Sequence, residues 1–113
     1  MIIRILQIIA AVGTIATGFI SLIWPRSVRG FTGLNVEGGR GITEIRAVLG
    51  GFFVALGAAP LILNAAAAYQ MLGIAYLVVA VTRAVSMFVD KSVVQSNIIS
   101  VVVEIIFGVI LVL

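Results

Sequence analysis

The chain has 113 residues, 63% of them apolar and 10% charged, with a mean hydropathy of +1.34; globular domains run to about 45–50% apolar and about 25% charged, so a water-soluble body is excluded and lipid must form part of the solvent. Cys and His are both absent, which removes disulfides, thiolate and imidazole metal sites and the commonest general base, and no metal or cofactor is expected. The net charge of +3 reads as a topology signal rather than as nucleic-acid binding, because Lys and Arg gather on the cytoplasmic segments of membrane proteins.

At about 20 apolar residues per span, the chain accommodates at most four or five transmembrane helices. The first run reaches from Met1 to Trp24, broken by Arg4 and Gln7, and ends at Trp24-Pro25-Arg26. An indole at headgroup level, a Pro that stops the helix and an Arg that reaches phosphate together mark a membrane exit. A cleavable signal peptide is the competing reading, and it is disfavoured because the apolar run exceeds a typical signal core. Residues 25–42 follow as a polar loop whose Pro25–Gly41 part carries three Arg, one Glu and five Gly. These glycines match neither the Gly-Lys-Ser/Thr phosphate loop nor the G-x-G-x-x-G spacing, so the segment reads as a turn with Phe31 and Leu34 dipping into the interface.

Thr43 is the expected N-cap of the second span, with Glu44 in its first turn. That span covers residues 43–63, interrupted by Arg46, and Pro60 is expected to loosen its end. Asn64 and the alanines after it make a tight turn into a third span over residues 67–89, which passes Arg83 and stops at Asp90-Lys91-Ser92. The fourth span covers residues 93–113 and contains Gln95, Asn97, Ser100 and Glu104. The expected fold is therefore all-α, a single transmembrane domain forming a compact four-helix bundle. Trp24 and Tyr69 read as interface anchors, and Met71 and Met87 as lipid-facing or core fillers.

Each span carries one stripe that lipid would not choose. Gln7, Ala11, Thr14, Gly18 and Ser21 recur at helical spacing on the first, and Arg46, Gly50, Phe53 and Gly57 on the second. Gly73, Tyr76, Ala80 and Arg83 form the third stripe, and Asn97, Ser100, Glu104 and Gly108 the fourth. Small and polar residues on one face make helix–helix contacts in bilayers. Counting rise from the loop ends, Arg46 lies about 5 Å deep, Arg83 about 10 Å and Glu104 about 15 Å. With Glu44 these make a neutral intramembrane set, in which Arg83 is expected to pair with Glu104, and Arg46 to join them or to pair with Glu44. Tyr76 needs a buried hydroxyl partner. The set either locks helix register or faces a small polar cavity for an ion, a proton or a lipid headgroup.

Arg26, Arg29, Arg40 and Lys91 lie on one side, with Arg46 and Arg83 at that side's helix ends, and Arg4 alone on the other. This bias puts loops 25–42 and 90–92 in the cytoplasm and both termini outside. The run from Glu44 through Arg46 to Gly50 and Gly51, Gly57 in the same span, Thr82-Arg83 with Ser86 and Asp90, and Glu104 in the last span together resemble the family of small four-helix bacterial membrane proteins grouped as a domain of unknown function, DUF4345. The resemblance covers nearly the whole chain and implies a four-span inner-membrane protein with no assigned activity. Small multidrug exporters have the same size, but they rely on a Glu in the first helix, where this chain offers Gln7 and Thr14.

The charge-balanced interior points to a non-enzymatic accessory or scaffold subunit in a larger or homo-oligomeric membrane assembly. Its expected partners are membrane lipids and other membrane subunits or its own copies, and nucleic acid is not among them. The alternative is a small homo-oligomeric transporter or channel that uses the Arg83 and Glu104 region, with Asn97, Ser100 and Thr82 lining a water path. A lipid-modifying enzyme ranks third: Glu104 and Tyr76 are suited to acid–base work, but no nucleophile is visibly paired with a base.

Overall fold

In the computed structural model, which describes residues 1–113, helix α1 runs from Ile2 to Ile23 and stops where Pro25 opens a 3-10 turn over Pro25–Ser27. A short helix α2, Val28–Thr32, follows and is closed by Gly33 at φ 75°. The long helix α3, Gly38–Leu63, begins at Gly38 rather than at residue 43. The turn expected there is helical, and Thr43, instead of capping, lies inside it and donates its hydroxyl to the Gly39 carbonyl at 3.0 Å. Arg40 and Glu44 add an i,i+4 pair at 3.0 Å to the same turn.

Within α3, residues Ile45–Phe52 follow the wider π-helical hydrogen-bond pattern. Pro60 sits buried inside the continuing α-helix Phe53–Leu63. That helix stops at Asn64, which takes the left-handed conformation at φ 49° and donates its N–H to the Pro60 carbonyl. Helix α4, Ala66–Val89, leads through the Asp90–Lys91 turn to α5, Gln95–Val112. Lys91 at φ 53° and an extended Val94 delay the start of α5 to Gln95.

The helices pack as two hairpins. Between α1 and α3 the approach is so close that a Cβ on Gly57 would lie 2.6 Å from the Ala11 carbonyl oxygen, and one on Gly18 2.7 Å from that of Gly50. Between α4 and α5, Gly73 faces Gly108. The hairpins are tied together at the end that carries the chain termini, where the Gln7 amide donates to the carbonyls of Ile110 and Leu111 at 3.1 and 3.3 Å. Ala10, Ala11, Tyr69, Leu72 and Leu111 form the apolar core of that end.

Toward the Arg-rich loop the hairpins part. The body measures 43 × 30 × 16 Å; only the longest extent can hold a helix the length of α4, at about 36 Å, so the cross-section is nearly twice as wide as it is thick. The bundle is splayed rather than compact, because the close glycine contacts lie within each hairpin and not between them. Only 20 of the 113 residues are buried, and the outward faces carry apolar side chains such as Ile9, Val81, Phe88 and Ile105. Four helices are long and apolar enough to cross a membrane, which points to a membrane location.

Candidate functional site

The parting of the hairpins leaves a cleft of about 380 Å³ to which all four long helices and α2 contribute. Its apolar wall includes Leu49, Phe53 and Leu56 of α3 and Phe107 of α5, and its rim includes Phe52 and Val79, both exposed. Polar groups enter from α1, α2, α4 and α5. Arg83 of α4 grips Glu104 of α5 as a fork: Nε donates to Oε1 at 2.9 Å and Oε2 at 3.2 Å, and Nη2 to Oε2 at 2.8 Å. Arg83 Nη1 donates to Asn97 Oδ1 at 3.1 Å, and the Asn97 amide donates in turn to the Ser92 carbonyl at 2.9 Å. The chain entering α5 is thereby tied to the ion pair. The Glu104 side chain is 11% exposed and that of Arg83 31% exposed, and both line the cleft.

Across the cleft, Tyr76 bonds Thr14 of α1. Thr14 already commits its proton to the Ala10 carbonyl at 2.8 Å. A hydroxyl carries a single proton, so the phenol is the donor and its own oxygen stays free to accept. The Tyr76 ring meets Phe107 edge-on, with centroids 5.5 Å apart. Thr17, Ser21 and Thr32 each turn their hydroxyl back to a carbonyl one turn earlier. Ser100 also lines the cleft and is half-buried. The arrangement can bind and orient a molecule through hydrogen bonds. The carboxylates do not gather into a group able to hold a metal ion.

The remaining residues singled out from sequence fall elsewhere. Arg46 points outward, is exposed and takes no part in the ion pair, and Glu44 is engaged by Arg40 rather than by Arg46. The π-helical stretch causes this: it buries Ile45 and Gly50, five residues apart, and so turns Arg46 off the face that an α-helix would share with Gly50. Tyr69 is no interface anchor; it is 2% exposed, packed in the core of the terminal end, with the Arg4 guanidinium 4.6 Å above its ring centre. Trp24 is 62% exposed at the end of α1. Thr14, Gly18, Gly50, Gly57, Gly73 and Gly108 lie on the buried faces of their helices.

Phe52, Val79 and Thr32 escaped the sequence reading altogether. Nothing in an apolar helix separates a cleft-lining Phe or Val from a lipid-facing one, since both occupy faces without polar neighbours. No curated protein and no solved structure is found to match the chain. The family described as a domain of unknown function, DUF4345, matches residues 2–113, and with the match extending over essentially its full length, the chain belongs to that family.

Proposed function

We propose that the chain is a non-enzymatic membrane protein that holds a lipophilic molecule between its hairpins and serves as an accessory subunit of a membrane assembly. The cleft is the observation that carries this reading. Its volume of about 380 Å³ falls within the range of small-molecule sites, which are mostly apolar with a few placed polar groups. Phe52 and Val79 on its exposed rim suit entry from the bilayer rather than from water. Catalysis would need a nucleophile beside a base, whereas Glu104, the one carboxylate at the cleft, is occupied by Arg83.

Extraction of the membrane patch in a polymer disc, followed by mass spectrometry of the molecules retained, tests the reading. A lipophilic compound should be enriched over bulk lipid, and Ala75→Phe, which fills the cleft, should remove the enrichment. No enrichment over bulk lipid in the unaltered protein would overturn it. The accessory role supposes that the apolar outer faces pack against other membrane proteins or a second copy, in the inner membrane with the Arg-rich loop inside. A solitary monomer on native gels at native expression would count against that role.

Transport by a homo-oligomer is the second reading, favoured by the 31% exposure of Arg83 beside Glu104. Identical flux through proteoliposomes of the unaltered chain and of Glu104→Gln would dispose of it.

A further inference from the structure

Resting on the binding reading above, we infer that the occupant is an uncharged lipophilic carbonyl compound, its carbonyl oxygen held by Ser100 and the unused N–H groups of Arg83. Ser100 is the one hydroxyl lining the cleft that makes no hydrogen bond; Thr14, Thr17, Ser21, Thr32 and Tyr76 are all engaged. It lies one helical turn before Glu104, on the α5 face that Arg83 reaches. A half-buried hydroxyl in lipid has no water at hand to satisfy it, and an acceptor entering the cleft would do so.

Arg83 is likewise incompletely used. A guanidinium carries five N–H donors. Nε spends its one proton on Glu104, while Nη1 spends one on Asn97 and Nη2 one on Glu104, so each terminal nitrogen keeps a second N–H. Arg83 can only donate and the Ser100 hydroxyl can donate as well as accept, and both line the same cleft from α4 and α5, so an acceptor oxygen on the guest would satisfy both.

Charge decides between acceptors. Glu104 already cancels the Arg83 charge within the span. A carboxylate or phosphate guest would add an unbalanced negative charge beside Glu104 in a low-dielectric site, whereas a ketone or ester oxygen accepts the same bonds without that cost. The free Tyr76 oxygen adds an acceptor for a hydroxyl elsewhere on the guest. The phenylalanines and leucines of the wall take an isoprenoid or acyl tail. A ring ketone with an isoprenoid tail and an ester with an acyl tail share this chemistry.

The protein in lipid nanodiscs is titrated with decylubiquinone, monooleoylglycerol and oleate, and one-to-one binding is read by native mass spectrometry and by thermal stability. Either uncharged probe, or both, should bind saturably, and which of them does so identifies the source. Oleate should bind at least about tenfold more weakly. Ser100→Ala removes one neutral hydrogen bond and should weaken the uncharged probe about fivefold without lowering the melting temperature of the empty protein. Since the chain has no cysteine of its own, Ser100→Cys gives a single thiol whose alkylation the bound probe should slow. Oleate as the tightest ligand, or unchanged affinity in Ser100→Ala while Ala75→Phe abolishes binding, overturns the assignment of an uncharged head and leaves the cleft intact as a site. Failure of every probe to bind, or full binding to a correctly folded Ala75→Phe, overturns the cleft reading together with the inference.

Discussion

Removing Glu104 tests the ion pair most directly. Glu104→Ala deletes the acceptor of three of the contacts Arg83 makes, leaving the guanidinium only Asn97 at 3.1 Å. Breaking a fully buried pair costs about 3–5 kcal/mol. Arg83 is 31% exposed and can turn toward the membrane surface, so the loss should fall to about 2–3 kcal/mol. Glu37→Ala, in the exposed stretch before α3, should stay within about 0.5 kcal/mol of the parent. Arg83→Ala in the Glu104→Ala background removes the stranded charge and should add little further loss, giving a coupling energy of at least about 1.5 kcal/mol. The assay is reversible unfolding in mixed micelles titrated with a denaturing detergent and followed by circular dichroism, applied to both single variants and the double. Losses that add to within about 0.5 kcal/mol would refute the pair as a stabilising contact.

The same assay should separate the glycines of the seams. Gly57→Ala drives a methyl against the Ala11 carbonyl oxygen at 2.6 Å and the Ile15 nitrogen at 2.9 Å and should cost about 1–3 kcal/mol; Gly108→Ala meets the Leu77 side chain at 2.6 Å, with the nearest backbone atom, the Gly73 carbonyl oxygen, at 3.2 Å, and should cost less because a side chain shifts more readily than backbone. Gly39→Ala meets nothing within 4 Å and should be neutral or slightly stabilising, as Ala is the better helix former by about 1 kcal/mol. Gln7→Leu removes the donor to the Ile110 and Leu111 carbonyls, and hydrogen exchange should show the last turn of α5 fraying while the middle of α5 is unchanged. For topology, a cysteine placed at Gly39 should resist an impermeant maleimide in intact cells while one appended after Leu113 reacts, and the reverse labelling would show the chain inverted.

The legible part of this structure was written in spacing. Gly18, Gly50, Gly57, Gly73 and Gly108 stand out because small residues recurring on one face of an apolar helix allow close approach of a neighbour, and Arg83 with Glu104 because isolated charges in lipid need each other. Arg46 was misplaced because the 3.6-residue period assumed for α3 fails over Ile45–Phe52, and composition does not announce a π turn. Tyr69 was misplaced because an aromatic near a span end is ordinarily an anchor. The core of the terminal end decides otherwise, gathering Tyr69 with Ala10, Ala11, Leu72 and Leu111. The cleft was the least legible element: it arises where the hairpins fail to touch, a property of the two pairs together and of no single helix.

The amide of Gln7 reaches across 103 positions of sequence to Ile110 and 104 to Leu111, and that reach orders the events of biosynthesis. The first helix enters the bilayer with Gln7 and Thr14 on its inward stripe, Thr14 already bonded to its own helix but Gln7 without the carbonyls that will receive it. The glycine seam lets α1 and α3 close as soon as both are inserted, yet Gln7 stays an unspent donor in hydrocarbon until the ribosome has delivered the last turns of α5. The terminal end of the molecule is therefore the last to set, and a chain cut short before residue 110 leaves Gln7 at an open polar seam, the form in which a membrane chaperone or quality-control protease would meet it.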